Sequence, residues 1–170
     1  MNDMAHDERH RDQDVATTAA LRTIPEPLRS AVDDEFWRYL EQGEVRVQRC
    51  GACDTVRYPP EPVCPACLAE DATWRLLTGT GSLLAWTTFH RQYFPTLPVP
   101  YTVGAVATPE GVIVCGRLEV GAASPRLELP VRLMVEPVMR EGGQRSANFS
   151  WLYDPERDPG HAPQGGNYVA

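Results

Sequence analysis

The chain has 170 residues, of which 42% are hydrophobic, and a formal net charge of −7, which suits one compact core but not a nucleic-acid surface. Its 16 basic residues are all arginines, which excludes catalysis that requires a Schiff-base, P-loop or Ser-Lys lysine. No apolar run approaches the roughly 20 residues of a membrane helix, and residues 1–30 lack the features of a signal peptide. We therefore expect a cytoplasmic protein that does not enter a membrane.

The N-terminal part predicts a tail followed by one helix. Residues 1–24 are polar and without periodicity, so we assign them to a flexible tail. Within residues 25–43, apolar side chains recur at every fourth position, which predicts an amphipathic helix. These side chains are Leu28, Val32, Phe36 and Leu40. Two explanations stay open for the aromatic surface around Phe36 and Trp37: burial against the chain's own ribbon, or docking on a partner.

Residues 44–78 contain two Cys-x-x-Cys pairs that are separated by ten residues. Each pair can place two thiolates on one metal ion, and two pairs complete a closed tetrahedral site of the zinc-ribbon type. The predicted ligands are Cys50, Cys53, Cys64 and Cys67. Zinc is the commoner occupant, but a rubredoxin-type site holds iron with the same ligands, so both metals stay open. Two disulfides are the alternative, which would require an oxidising compartment.

Short strands are predicted on both sides of the ribbon's cysteines and again in the region that follows. The ribbon strands are expected at 44–49, 55–58 and 73–77. Residues 79–153 then predict a five-stranded barrel of the OB type, with strands at 82–90, 101–108, 111–118, 131–138 and 147–153. Residues 119–129 contain Gly121 and Pro125 and predict a loop, and residues 154–170 predict a C-terminal tail. The expected fold is mainly β: an N-terminal helix, a rubredoxin-like zinc ribbon and an OB-fold barrel.

Several short motifs follow one another in a fixed order along the chain. They include Arg57-Tyr58-Pro59-Pro60, Cys64-Pro65-Ala66-Cys67, Gly79-Thr80-Gly81 and Thr87-Thr88-Phe89-His90. Over about residues 30–152, this order resembles the zinc-ribbon plus OB-fold acyl-CoA-associated family. The resemblance implies a non-catalytic accessory subunit of a thiolase-like enzyme, a class that includes thiolases, ketosynthases, acyltransferases and aldolases. It also implies a hetero-tetramer or larger complex in which this chain helps to form the acyl-CoA site.

The resemblance assigns roles to individual positions. The four cysteines of the two pairs match the family's metal ligands, and His90, Arg91, Tyr93 and Tyr101 match the region expected to face the partner or CoA. Arginine suits a phosphate or carboxylate, and aromatic rings suit adenine. We therefore expect a CoA thioester or a pantetheine-linked substrate as the ligand of the complex. The ribbon and the helix around Phe36 and Trp37 are expected to form the docking surface.

Two other functions remain as alternatives. A single-stranded nucleic-acid-binding module is possible because OB barrels and zinc ribbons both serve that role, although the chain's acidity opposes it. A stand-alone acyl-CoA-processing enzyme would need Cys115, the one cysteine outside the pairs, together with His90. We expect Cys115 to be a buried, inert thiol, because the apolar residues around it predict a core strand and reactive cysteines need an accessible, electropositive setting.

Overall fold

The computed structural model describes residues 21–160. This part of the chain contains one α-helix, α1 (Asp33–Glu41), and nine strands. The strands are β1 (Thr23–Ile24), β2 (Arg46–Cys50), β3 (Val56–Arg57), β4 (Ala72–Leu76), β5 (Thr80–Phe89), β6 (Tyr101–Ala107), β7 (Ile113–Glu119), β8 (Pro130–Arg140) and β9 (Arg145–Tyr153). The predicted class, mainly β with one helix near the N-terminus, is confirmed. None of the helices in this part is long and apolar enough to cross a membrane.

The first sheet is the ribbon, in which β2 pairs with β3 on one side and with β4 on the other, both antiparallel. All three strands lie within two residues of their predicted positions. Inside the ribbon, the buried Arg57 donates from Nε to Gln48 Oε1 at 2.7 Å, and Glu61 N–H donates to the same oxygen at 2.9 Å. These bonds tie the segment between the two cysteine pairs to the central strand.

The second sheet is an OB-type barrel built from β5 to β9. Its pairings run in a ring, from β5 through β6, β7, β9 and β8 back to β5, and only the β7–β9 pair is parallel. Side chains that point inward from all five strands are fully buried and form the core: Leu83, Val106, Val114, Val131 and Trp151. The five predicted strands are confirmed, and the connection between β7 and β8 is a loop, as its glycine and proline indicate.

Helix α1 packs against both sheets, since it contacts β9 of the barrel and β2 of the ribbon. Its inner face buries Phe36 and Leu40 in the same core as the barrel's residues. The helix is shorter than predicted because Ser30 first forms a turn, in which its N–H and hydroxyl both donate to the Asp33 carboxylate. Leu28, which the periodicity placed on the apolar face, lies before this turn and is fully exposed.

The described ends of the chain are bound to the barrel. Strand β1 pairs in parallel with β8, so Thr23 and Ile24 form a strand where the sequence predicted the end of a tail. At the other end, the buried Asp158 accepts hydrogen bonds from Tyr153 Oη at 2.7 Å and from Arg126 Nη2 at 2.5 Å. The remainder of both predicted tails, residues 1–20 and 161–170, lies outside the described residues.

The junction between ribbon and barrel is held by Glu110, a buried carboxylate in the turn between β6 and β7. Its Oε1 accepts the Thr78 N–H at 2.8 Å, directly after the ribbon's last strand. Burial alone would raise the pKa of Glu110, but hydrogen bonds from Thr78, from its own backbone and from Thr108 outweigh burial and lower it. The ionised carboxylate is therefore the form that the folded junction prefers.

We predict that Glu110→Ala lowers the free energy of unfolding by about 1 kcal/mol, because the Thr78 N–H loses its acceptor. The stabilisation by Glu110 should be complete above the ordinary carboxyl pKa of 4.5 and should be lost as the pH falls through the lower folded value. Urea unfolding of wild type and variant at several pH values measures both effects. Glu70→Ala, at an exposed position, is the control, and equal losses in the two variants would contradict the assignment.

Candidate metal centre and aromatic surface

The four predicted cysteine ligands meet at one point of the ribbon. Their sulfur atoms all lie within 4.8 Å of one another, with Cys50 Sγ 3.5 Å from Cys67 Sγ and Cys53 Sγ 3.7 Å from Cys64 Sγ. Four thiolates at about 2.3 Å from one zinc ion would be about 3.8 Å apart, so the observed spacing fits a tetrahedral metal site. The cluster thus has the ligand number and the geometry of a closed structural site.

The two cysteine pairs are held by turns of the same form. The residue after each pair, Asp54 or Leu68, has a positive φ, of 62° and 63° respectively. Its N–H returns to the carbonyl of the first cysteine of the pair, at 3.2 Å to Cys50 and at 2.8 Å to Cys64. Backbone hydrogen bonds therefore aim both thiols of each pair in the same direction, which is what a shared metal requires.

Gly51 lies where another segment approaches the first turn. Its N–H donates to the Asp71 carbonyl at 3.0 Å, and a Cβ at this position would collide with the Asp71 carboxylate. The close approach joins the first cysteine pair to the segment that leads into β4. A larger residue here would require the exposed Asp71 side chain to move.

The charges at the cluster also suit a metal cation. Hydrogen bonds from Thr55 lower the pKa of Cys53, and the Ala66 N–H lowers the pKa of Cys64 to about 6. The Ala69 N–H acts to lower the pKa of Cys67 as well, but the neighbouring Cys53 and Cys50 raise it to about 12. Thiolates are thus favoured at some positions and opposed by their neighbours at others, and a divalent cation among the four sulfur atoms would favour the thiolate form of each.

Cys115 is exposed, and the prediction of a buried thiol is therefore wrong. Side chains alternate from the residue before β7 onward: Val112, Val114 and Leu118 are buried and point into the barrel, whereas Ile113 and Cys115 are exposed on its outer face. The apolar run suggested that both faces were covered, but the described chain does not cover the outer one. Within the described residues no hydrogen bond joins Cys115 to His90, so the structure does not assemble the Cys-His pair of a stand-alone enzyme.

The four residues that the resemblance assigned to CoA or a partner lie together where β5 ends and β6 begins. Tyr101 stacks on Phe89 with ring centroids 4.9 Å apart and an interplanar angle of 11°. Tyr93 meets Phe89 edge-on at 6.5 Å, and the Arg91 guanidinium lies 5.5 Å from the centre of the Tyr93 ring. His90 directly follows β5 and is exposed. These four residues and Phe89 form what we term the aromatic cluster.

Phe89 is the residue of this cluster that we did not predict to belong to the site, although it contacts two of the four predicted residues. The sequence offered one signal for Phe89, its spacing of four residues from Tyr93 at the end of a predicted strand. That spacing does not indicate that Phe89 stacks on Tyr101 of the neighbouring strand. That contact depends on the register of the β5–β6 pair, in which Phe89 lies directly opposite Tyr101. Sequence spacing alone does not specify such a register.

Helix α1 uses its aromatic residues for packing within the chain. Phe36 is buried against Trp37 and Tyr58, with ring centroids 5.5 and 5.8 Å away, and burial raises the pKa of Tyr58 to about 12. Trp37 lies between the guanidinium groups of Arg29 and Arg140, at 5.0 and 4.9 Å. Phe36 is therefore buried within the chain, while docking of a partner on the ribbon and on the rest of this helix stays a prediction.

Two family models match the chain in succession. Residues 37–72 match "ChsH2, rubredoxin-like zinc ribbon domain", and residues 74–136 match "ChsH2, C-terminal OB-fold domain". Together they span more than half of the chain. The boundary between the two matches falls within β4, just before the Thr78–Glu110 hydrogen bond that joins the two sheets.

The chain is also similar to longer curated proteins. It is 33% identical over 118 residues to the "Probable enoyl-CoA hydratase alpha subunit" of Thermomonospora curvata, covering 69% of this chain and 36% of that protein. It is 29% identical over 99 residues to the "3-oxo-4,17-pregnadiene-20-carboxyl-CoA hydratase alpha subunit" of Mycobacterium tuberculosis, covering 57% and 31%. The chain thus spans about a third of the length of these relatives.

Two solved structures share the fold. A chain of the structure described as "Ltp2-ChsH2(DUF35) aldolase" matches with a TM-score of 0.65 and 25% identity, over 75% of this chain and 98% of that chain. A DUF35-family protein of unknown function from Sulfolobus solfataricus matches with a TM-score of 0.53 at 11% identity, over 74% of this chain and 87% of that one. The second match shows the fold alone.

We predict that Cys64→Ser removes the bound metal and unfolds the ribbon, because a structural four-cysteine site supplies on the order of 10 kcal/mol of folding energy. Metal analysis and thermal unfolding of the purified chain measure the two effects. Cys115→Ser is the matched control, since it removes an exposed thiol outside the cluster and should leave the metal in place. A Cys64→Ser protein with wild-type metal content and Tm would contradict the assignment.

A thiol-reactive dye provides an independent count of the cysteine thiols that a bound metal leaves free to react. With metal bound, we expect one fast-reacting thiol per chain, Cys115, and all five cysteines should react once a chelator and denaturant are added. Cys115→Ser should have no fast-reacting thiol while metal is bound. Fast reaction of several thiols in the metal-loaded wild type would show that the four-cysteine cluster does not hold the metal.

Proposed function

Because the chain belongs to the ChsH2 family of zinc-ribbon and OB-fold proteins, we propose that it is a non-catalytic accessory subunit of a thiolase-like enzyme. In this role it binds the catalytic partner and helps to form the partner's acyl-CoA site. The metal-bound ribbon fixes the position of the barrel, and the partner supplies the catalytic groups. A hetero-tetramer or larger complex is the form that we propose.

The observation that carries this proposal is the match to a chain of the Ltp2-ChsH2(DUF35) aldolase, of which 98% is covered. That structure's description names a second protein, Ltp2, and an activity, aldolase. This chain has the ribbon and barrel of the matching chain, and within its described part no hydrogen bond joins Cys115 to His90. A shared fold beside a separate enzyme supports the role of an accessory subunit.

A CoA thioester is the ligand class that we propose for the complex. Both curated relatives are named for CoA substrates, although this chain spans only about a third of each. The aromatic cluster offers chemistry that suits CoA, since Tyr93 is 62% exposed and Arg91 is exposed beside it. An aromatic ring can stack on adenine, and a guanidinium can pair with a phosphate.

Zinc is the metal that we propose for the four-cysteine site, because a closed shell of four thiolates is the commonest structural zinc arrangement. Free thiols at this spacing also support a reducing compartment, so we place the protein in the cytoplasm. Iron would fit the same ligands, and the two metals differ in colour and redox behaviour. The metal analysis of the wild-type protein therefore distinguishes them directly.

The nucleic-acid alternative has less support from the barrel's surface. OB folds that bind nucleic acid use the face of their second and third strands, lined by aromatic and basic side chains. The matching face here, on β6 and β7, presents mainly Val103, Ala105, Ile113 and Cys115, with Tyr101 at its end, and its arginine, Arg117, is paired with Glu119 at 3.0 Å. We expect no shift of single-stranded DNA or RNA in a gel at low salt, where electrostatic binding is strongest.

We predict that this chain and the thiolase-like protein encoded beside it elute together when they are co-expressed and separated by size-exclusion chromatography. The physical reason is that a stable interface between two proteins buries a total of about 1,200 Å² or more of their surface. The mass of the peak gives the stoichiometry. Elution of the metal-loaded chain by itself, beside a separate peak of the enzyme, would count against the proposal.

We further predict that Arg91→Ala raises the KM of the complex for an acyl-CoA by about tenfold, the loss expected for one charged contact to a phosphate. The kcat should change little, because Arg91 is proposed to bind the CoA moiety and not the reacting carbon. Arg145→Ala, at another exposed position, is the matched control. A wild-type KM in the Arg91→Ala complex would remove Arg91 from the CoA site without affecting the subunit assignment.

A further inference from the structure

Strand β5 is longer than the barrel that it helps to form. It pairs with β6 along nearly its whole length, from Ser82 to Phe89. On its other edge it pairs with β8 only from Thr80 to Ser82, and the last backbone hydrogen bonds there are those of Leu83 with Leu129 and Glu128. Within residues 21–160, the edge formed by residues 84–89 therefore has no backbone partner; we term it the open edge.

The open edge begins at a β-bulge between Leu83 and Ala85 but otherwise lacks the features that natural proteins use to block such edges. Exposed edge strands are usually short, charged, bulged away or interrupted by proline, since unpaired N–H and C=O groups otherwise recruit another strand. Residues 84–89 contain no charge and no proline, and residues 84–88 are all exposed. Leu84 and Trp86 are large side chains with 42% and 41% of their surface exposed. An edge of this kind is suited to strand addition.

The size of the edge argues that its occupant belongs to a larger body. A strand of six residues is about 20 Å long and about 10 Å wide, so pairing along the open edge would bury about 200 Å² of each partner. A stable complex buries about 1,200 Å² in total, so pairing with the edge alone would not hold a second copy of this chain. The exposed rings of Tyr93 and Phe94 follow directly after β5 and extend the apolar surface, so a larger partner could cover both.

The charges at the two ends of the edge differ. Beyond Phe89, Arg91 is exposed and forms no ion pair among the described residues, while at the other end Arg132 and Glu128 are both exposed and offset each other. An incoming strand with an uncharged middle would match the uncharged edge and leave Arg91, at its end, to the CoA moiety proposed above. Backbone groups would provide its affinity, and the side chains at its centre would provide its specificity.

We propose that the open edge of β5 binds an extended segment of the catalytic partner, which adds to the barrel as a further strand. This inference rests on the proposed function and specifies the surface through which the partner docks. It lies apart from the docking surface that the sequence suggested on the ribbon and the helix around Phe36 and Trp37, of which Phe36 is buried. The barrel would thus join the partner's structure through backbone hydrogen bonds beside the aromatic cluster.

Hydrogen–deuterium exchange of the co-expressed complex, compared with the free chain, tests the proposal on unmodified protein. Alternate amides within residues 84–89 should exchange more slowly in the complex, because an added strand accepts their N–H groups. Peptides from Ile113–Glu119 should change little. If the complex forms and the exchange of residues 84–89 is unaltered, the proposed surface is wrong although the accessory role stands.

Trp86→Glu supplies the matching mutational test, with Leu127→Glu as the control at a loop residue that is 65% exposed. Trp86→Glu should weaken partner binding by at least about tenfold, while Leu127→Glu should bind as wild type does. Metal content and Tm show whether each variant is folded. Wild-type affinity in a folded Trp86→Glu protein would overturn the proposal, as would a free chain that dimerises through residues 84–89.

Absence of any complex between the wild-type proteins is a separate outcome. It would remove the proposed function and, with it, this docking surface. A complex in which the amides of the open edge exchange as fast as in the free chain would contradict the docking surface only. The two failures are therefore distinguishable in one set of samples.

Discussion

The convergence of four thiols on one point is the constraint on which the ribbon depends. The three ribbon strands are short, and β3 has only two residues, so their backbone pairing alone provides little stability. A metal held by both cysteine pairs would fix the two turns relative to each other and supply the missing energy. The ribbon in turn carries Tyr58 against Phe36 of α1, and Glu110 joins the end of the ribbon to the barrel. A metal bound at the cluster would thus stabilise a region larger than its own ligands.

The parts of the fold that sequence could predict are those specified by local chemistry. The Cys-x-x-Cys spacing predicted the cluster because two residues between thiols allow both to reach one metal. Alternation and turn residues predicted eight strands to within two or three residues. The short helix was less well predicted, because the side-chain hydrogen bonds of Ser30 with Asp33 decide where it starts and leave Leu28 in solvent.

The features that sequence could not predict depend on which other segments of the chain pack on or pair with a strand. The apolar residues around Cys115 would suit a strand covered on both faces, yet only the inner face is covered within the described chain. Thr23 and Ile24 carry no strong strand signal and pair with β8 because the fold brings an unpaired segment of that strand to them. Phe89 joins the aromatic cluster through its register opposite Tyr101. In each case the deciding contact is distant in sequence, as is usual for sheets.

The division of labour between this chain and a catalytic partner is the central claim, and steady-state turnover tests it most directly. An acyl-CoA panel would be assayed with the thiolase-like protein alone, with this chain alone, and with the co-purified complex. Our account predicts that the complex turns over at least one acyl-CoA, that the partner alone is much slower, and that this chain alone is inactive. Turnover by this chain without a partner would contradict the account and return attention to Cys115 and His90.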